Sequence, residues 1–554
     1  MRQTKRSHSL RRRYQRFDRW RRDGQGWIWF CAGALAISLT GLLGILVLIA
    51  GNGLAHFWPN QILQLQLAGE EIIGEHLDTV GSASDAQGER WLMHVGNRES
   101  QAPDFRWVAR SEVLSVDTPA QMVVIERTEW GNAYGHIEGV ILGTDGSLLT
   151  GKAMLPVLAS ALEQVSATRD AITALERGSI RRINSELEAL RLTRRKVQLE
   201  AGQEMSAMLA ELDIQERALQ ISYAEQEALL RSLNQSLTGT QIKLSLANAQ
   251  QRVIDLATVL SITYANQLTS WERLFLSLQN VLGFLTDTPR EANTEGGVFP
   301  AIFGTVLMVL LMSVVVAPVG VVTAIYLHEY ANQGPLVRLL RIAVSNLAGV
   351  PSIVYGVFGL GFFVYFIGGN LDRLFFPEAL PAPTFGTPGL IWASLTLALL
   401  TVPVVIVSTE EGLARVPQSL REGSLALGAT RAETLFHVVL PMATPAMITG
   451  VILAVARAAG EVAPLMLVGV VKLAPTLPVD GEFPFLHLER KFMHLGFHIY
   501  DLGFQSPNVD AARPLVYATA LLLITIIVSL NLFAIALRGR LERHFRGLEG
   551  FEAQ

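Results

Sequence analysis

The sequence predicts an α-helical polytopic membrane protein of six transmembrane helices, with one large α+β insert between the first and the second. Three observations carry that reading. The 554 residues have a mean hydropathy of +0.34 and only 17% charged side chains, more apolar than a soluble chain normally tolerates. Six runs nearly free of charge, at residues 27–50, 298–327, 342–368, 389–407, 443–471 and 515–537, are each long enough to cross about 30 Å of hydrocarbon as a helix. The gap after the first run, residues 51–297, is far longer than a connecting loop and changes in pattern along its length.

The basic residues set the orientation. Arg2, Lys5, Arg6, Arg11, Arg12, Arg13, Arg16, Arg19, Arg21 and Arg22 precede the first run, and positive flanks stay in the cytoplasm. Residues 1–26 are therefore expected as a cytoplasmic N-terminus contacting anionic lipid, with no role in nucleic-acid binding. Six crossings return the chain to the same side, where Arg538, Arg540, Arg543 and Arg546 mark a cytoplasmic tail, 538–554. A cleaved signal peptide fits the first run poorly, because the run is too long and no A-x-A-like site follows. The single Cys31 excludes a disulfide framework. Pro318, Pro351, Pro403 and Pro464 interrupt the runs, which spanning helices survive when neighbours satisfy the freed carbonyls.

This topology makes residues 51–297 a periplasmic insert. About 72–149 reads as β-rich, with Arg90-Trp-Leu-Met-His-Val-Gly96, Met122-Val-Val-Ile-Glu126 and His136-Ile-Glu-Gly-Val-Ile-Leu142 as short strands. About 154–285 reads as helical. Leu158, Leu162, Val165 and Ile172, then Ile183, Leu187, Leu190 and Val197, fall at near-heptad spacing. Two arrangements satisfy that spacing: an antiparallel coiled-coil hairpin turning near Gly202, and amphipathic helices packed on the β domain. A third helical stretch, 242–285, is expected to lead back to the membrane. Gly146-Ser-Leu-Leu-Thr-Gly-Lys152 has the spacing of a phosphate-cradling loop. Ala153 stands where the magnesium-binding hydroxyl belongs, so a turn opening the long helix is the better reading.

The loop between the fourth and fifth spans, about 409–441, carries the most specific pattern. Glu422-Gly-Ser424, Gly428, Val438 and Leu440-Pro441 keep the spacing E-x5-G-x9-[IV]-x-L-P. Small residues at Gly423, Ser424 and Ala426 let a short helix press into a groove of another protein, and Gly428 can end it. This pattern resembles the EAA loop of the membrane subunits of bacterial binding-protein-dependent ABC importers. The consensus Ala-Ala after the glutamate is Gly423-Ser424 here, and both are small. In the fifth span, Ile452-Leu-Ala-Val-Ala-Arg457-Ala-Ala-Gly-Glu461 sets an arginine and a glutamate four residues apart, on one helix face near mid-membrane. Ionisable groups there normally face a protein interior or a watery path. Either an anion route or a structural ion pair fits them.

Further segments narrow the resemblance. Gly296-Gly-Val-Phe-Pro-Ala-Ile-Phe-Gly-Thr305, Pro318-Val-Gly320, Ile325-Tyr-Leu-His-Glu-Tyr-Ala331, Ala348-Gly-Val-Pro-Ser-Ile-Val-Tyr-Gly356 and Ala456-Arg-Ala-Ala-Gly-Glu-Val-Ala-Pro464 look like the phosphate-specific ABC permease of PstA type. The likeness runs from about residue 296 onward and leaves the insert untouched. It implies a MetI-like ABC importer permease core at 298–537 in a bacterial inner membrane, moving phosphate inward by alternating access. It implies Arg421, Glu422, Gly423, Ser424, Ala426, Gly428, Ala429 and Thr430 as the ATPase-coupling segment. It implies Arg457 and Glu461 on the substrate route, with no catalytic residue and no metal ligand. The implied partners are a homologous PstC-like permease, two PstB-like ATP-binding subunits that use ATP and magnesium, and a PstS-like periplasmic phosphate-binding protein. No cofactor is expected on this chain. Alternatives are a permease for sulfate, molybdate or phosphonate, and a membrane-anchored coiled-coil scaffold. His487, His494 and His498 include an i, i+4 pair that could hold a metal, although packed or solvated histidines fit better.

Overall fold

The computed structural model describes residues 25–549 apart from 82–87, 99–103, 144–146, 201–204, 333 and 507–508. The basic cluster at 2–22, Gly146 and the expected hairpin turn at Gly202 lie outside the described residues.

Among the described residues six helices have the length and composition to cross a membrane: Trp27–Ala55, Phe299–Tyr330, Ser352–Phe375, Leu390–Ala414, Arg431–Gly460 and Ala512–Arg540. The fourth is the most buried, and with the second and fifth it forms one apolar core containing Met308, Met312, Leu397, Leu400, Ala454 and Ala458. Small side chains permit this packing, since lipid tails offer no hydrophobic drive for helices to associate. A Cβ at Gly412 would stand 2.5 Å from the Ala446 Cβ, so the fourth and fifth spans nearly touch backbone to backbone there. The first span is exposed over its whole apolar window and meets the last helix where Gly53 reaches Tyr517.

Two of the apolar runs are cut differently from the sequence expectation. The third, expected from residue 342, begins at Ser352. Before it, α5 (Pro335–Leu347, numbered after the insert helices given below) is a separate amphipathic helix whose Arg338 and Arg341 interrupt its leucines. The break falls at Gly349 and Pro351, where proline removes an amide and restricts its neighbour. The fifth run, expected to reach 471, stops at Gly460, and Glu461 is extended at φ −82°, ψ 131°. Pro464 supplies the same physical reason.

Two sheets and a helical hairpin make up the insert. The first sheet has strand order β4-β3-β2-β1-β5, from β1 (Ile62–Leu67), β2 (Glu71–Val80), β3 (Arg90–His94), β4 (Phe105–Ala109) and β5 (Val113–Asp117), all antiparallel. The second is built on β6 (Met122–Arg127) and β7 (Ala133–Leu142), with β8 (Ser147–Leu149) paired to β7. Gly151, with φ +72°, then turns the chain into α1 (Met154–Leu175). A π-helical turn at Glu176–Ile180 joins α1 to α2 (Arg181–Glu200), and α3 (Met205–Leu237) returns beside both.

The helical expectation for 154–285 fails over residues 241–263 and holds again from Ser270. Residues 241–263 are strands: β9 (Gln241–Ser245) lies between β7 and β10 (Gln251–Asp255), and β11 (Val259–Thr263) pairs with β6. Ile242 and Leu244 are fully buried while Gln241, Lys243 and Ser245 are not, a period of two that only a strand presents to one face. Strand structure also begins ten residues earlier than expected, at Ile62. Both arrangements weighed for the helices contribute. Met154, Leu158 and Val165 of α1 pack on the second sheet, whereas α2 pairs with α3, its Arg194 2.8 Å from Glu216. Then α4 (Ser270–Thr286), opened by a Thr269–Glu272 capping box, leads to the second span.

Six crossings put the insert and the loops 376–389 and 461–508 on one face, and the loops 331–351 and 415–430 on the other. The contacts agree. Asn293, just before the second span, donates to the Lys472 carbonyl at 2.9 Å, and Arg421 reaches Glu329 at the far end of that span.

Candidate functional site

Between the fourth and fifth spans, α6 (Gln418–Ala426) ends in a paired C-terminal cap. Gly428 adopts φ +90°, its amide donates to the Leu425 carbonyl at 3.0 Å, and the Ala429 amide donates to the Ser424 carbonyl at 3.3 Å. Only glycine enters that conformation without strain, so Gly428 fixes where the helix stops. Thr430 then caps the next helix. Its amide donates to Glu433 Oε2 at 2.7 Å and its hydroxyl accepts from the Glu433 amide at 3.3 Å. From that cap one helical rod runs from Arg431 to Gly460, interrupted only by a π turn at Leu435–Val439.

The eight residues singled out in this loop divide by direction. Glu422, Gly423, Ala426 and Gly428 face outward, beside the exposed Leu420, Leu425 and Leu427, the last 91% exposed. Arg421 turns inward. It pairs with Glu329 at 2.8 Å and donates to the Leu413 carbonyl at 2.8 Å, so it anchors α6 to the second and fourth spans. Ser424 shares a 3.0 Å hydroxyl contact with Thr434, and Thr430 is committed to its cap. Sequence reasoning missed Glu329 and the nearby Arg341–Glu410 pair at 3.6 Å. The available signal was an ionisable residue, Glu329 or Glu410, close to the end of an apolar run; which charge each faces is decided by packing.

At the other end of the same rod, Arg457 Nε stands 3.6 Å from Glu461 Oε1, and both side chains are partly exposed. The two do not share a helix face, as the spacing suggested, because the helix ends between them. Arg457 sits in its last turn and Glu461 on the extended segment beyond. At 3.6 Å this is a charge contact, longer than a hydrogen bond. Tyr355 of the third span and Leu465, just past the break, belong to the same buried cluster, and the Tyr355 hydroxyl donates to the Leu347 carbonyl at 2.6 Å. The break is therefore held on its far side by packing.

The three histidines of the last loop do not converge. Among the described residues no group of three or more His, Cys, Asp or Glu could hold a metal. His487 bridges Asp480 and Glu489 at 3.0 and 3.2 Å. His494 accepts from the Gly496 amide at 3.0 Å as a helix cap, and His498 is buried one turn on. Burial lowers both of these to about 4, with Asp501 opposing the shift at His498.

Residues 316–547 match the family described as binding-protein-dependent transport system inner membrane component. Over 245 residues the chain is 37% identical to the phosphate transport system permease protein PstA of Mycobacterium leprae, covering 44% of this chain and 71% of that protein. The chain belongs to the PstA family of permeases. A probable PstA of Methanocaldococcus jannaschii is 30% identical over 257 residues, covering 46% of this chain and 78% of its own length. Among solved structures, the MetNI methionine ABC transporter in inward-facing conformations aligns with a TM-score of 0.32 at 17% identity, over 44% of this chain and 94% of that one. The inner membrane component match at residues 316–547 contains α6, the Arg431–Gly460 rod, Arg457 and Glu461. The insert lies outside residues 316–547.

Proposed function

We propose that this PstA-family chain is the permease subunit of an ATP-driven importer of inorganic phosphate, moving the anion from periplasm to cytoplasm across a bacterial inner membrane. The observation that carries the reading is the single rod from Arg431 to Gly460. The rod has α6 at one end and the Arg457–Glu461 pair at the other, which supports reading α6 as a docking element linked to an anion route. Both chain ends and α6 would be cytoplasmic, and the insert periplasmic. A homologous permease would complete the route, two ATP-binding subunits would dock on the two coupling loops, and a phosphate-binding protein would deliver substrate. Closure of the ATPase pair would push α6, and the rod would carry that displacement to the break in the fifth span.

Arg457 suits a tetrahedral oxyanion because a guanidinium offers two parallel donors with fixed geometry and stays charged at any physiological pH. Glu461 would neutralise it while the route is empty and yield it when phosphate arrives. The family names of the relatives, phosphate transport system permeases, favour phosphate over other oxyanions. Substituting Arg457→Gln in the assembled complex should abolish phosphate uptake into proteoliposomes while subunit stoichiometry is unchanged. Normal uptake by that variant would return the pair to a structural role, and ATPase stimulation by sulfate alone would remove phosphate as the substrate.

A further inference from the structure

The insert touches the permease core at two separated places. One is its root, where Asn293 donates to the Lys472 carbonyl at 2.9 Å, near the start of the 461–508 loop. The other lies far along the hairpin. There Arg181, the first residue of α2, pairs with Asp480 of the 461–508 loop at 2.8 Å, Ile183 is buried, and α2 packs on Pro377–Ala379 of the loop between the third and fourth spans. The hairpin thus bridges loops belonging to two span pairs. The Asp480 loop is in turn fastened to the outer end of the fourth span, with the Leu390 and Ile391 amides donating to the Arg490 and Leu488 carbonyls at 3.0 and 2.9 Å.

We propose that the α1–α3 hairpin is a strap across this face of the permease, and that the Arg181–Asp480 contact is a latch made in this conformation and released when the face opens. The inference rests on the importer reading above, in which that face is the outer mouth. Three features suit a releasable joint. Asp480 keeps Arg490 at 2.5 Å, His487 at 3.0 Å and the Glu482 amide at 3.0 Å when Arg181 leaves, so no buried carboxylate is stranded. Arg181 is already 28% exposed and passes to water at small cost. The π turn at Glu176–Ile180 lies directly before Arg181 and contains Gly178, around which no other atom crowds, so the helix has a bending point beside the latch. A strap fixed both at Lys472 and at the 377–379 and 480 loops would resist any displacement of those loops during alternating access.

The test labels positions beside the latch, with Arg181 and Asp480 intact in the reference protein and Arg181 removed in the variant. In a Cys31→Ser background, Asn184→Cys and Phe483→Cys, both exposed, carry spin labels in the full complex with its partner subunits in lipid nanodiscs. Pulsed electron–electron distances are recorded without nucleotide and after trapping with ATP and vanadate. The latch requires one short distance without nucleotide that lengthens by several ångström on trapping, and a longer distance in Arg181→Ala already without nucleotide. The same distance in both nucleotide states, or no change in Arg181→Ala, overturns it. A distance that lengthens in a complex that takes up no phosphate leaves the latch standing and removes the substrate assignment instead.

Discussion

An arginine ties down each face of this permease, and the two ties differ in what remains when the arginine is removed. On the α6 face Arg421 serves Glu329 and the Leu413 carbonyl together, and without it Glu329 is left with His328 at 3.0 Å. On the insert face Arg181 is one of three cationic or titratable partners of Asp480. Burial alone would raise the Asp480 carboxyl, but the hydrogen bonds from Arg490, the Glu482 amide and His487 outweigh it and hold it at about 2. The first tie is a fixed anchor and the second a redundant one. A joint that must transmit a push has to be stiff, whereas one that must open can only be built where its loss strands no charge.

The comparison is most exposed at Arg421. Arg421→Ala should destabilise the α6 segment by about 2 kcal/mol, since a partly buried carboxylate and a carbonyl both lose a donor. Hydrogen exchange should speed up across residues 418–426 and stay unchanged in the insert; uniform exchange would mean that Arg421 anchors nothing. The insert face should answer instead to acid. A histidine held near 4 when folded and about 6.5 when unfolded is neutral in the native state, so the unfolded chain binds more protons between those values. Stability is then complete above about pH 6.5 and is lost as pH falls toward 4. Each of His494 and His498 should cost about 2 kcal/mol at pH 5, and His494→Gln should flatten the fall in thermal midpoint between pH 7 and 5.

Smaller effects sharpen the contrast. Arg181→Ala should change the thermal midpoint little, by less than about 1 kcal/mol in stability terms, because Asp480 keeps its other partners. The smallest effect on folding is expected at Gly423. A Cβ there meets nothing within 4 Å, so Gly423→Leu should leave the stability of this chain unchanged while lowering ATPase coupling in the complex. A stability loss in that variant would show that the surface is already covered by this chain.

The strands at 241–263 show where local reading stopped. The alternation of Ile242 and Leu244 is present in the sequence, yet it covers five residues and follows some 80 of helical pattern, too short to stand apart from them. What makes it a strand is the vacant edge of β7, which the chain had left behind 100 residues earlier. The end of the fifth span was legible in Pro464, but its consequence was not. Spacing alone put Arg457 and Glu461 on one helix face, and only the extended backbone at Glu461 separates them.

By itself the sequence determined the six apolar helices, the small residues of α6 and the glycine that ends it. Charge-free length, side-chain size and a positive φ are local properties, readable wherever they occur. Tertiary structure decided which residues of that segment face outward, with Arg421 drawn in by Glu329 from 92 residues away. It also decided that the hairpin reaches Asp480, a pairing across 299 residues. An ion pair depends on where two helices are brought together, and no spacing along the chain encodes that distance.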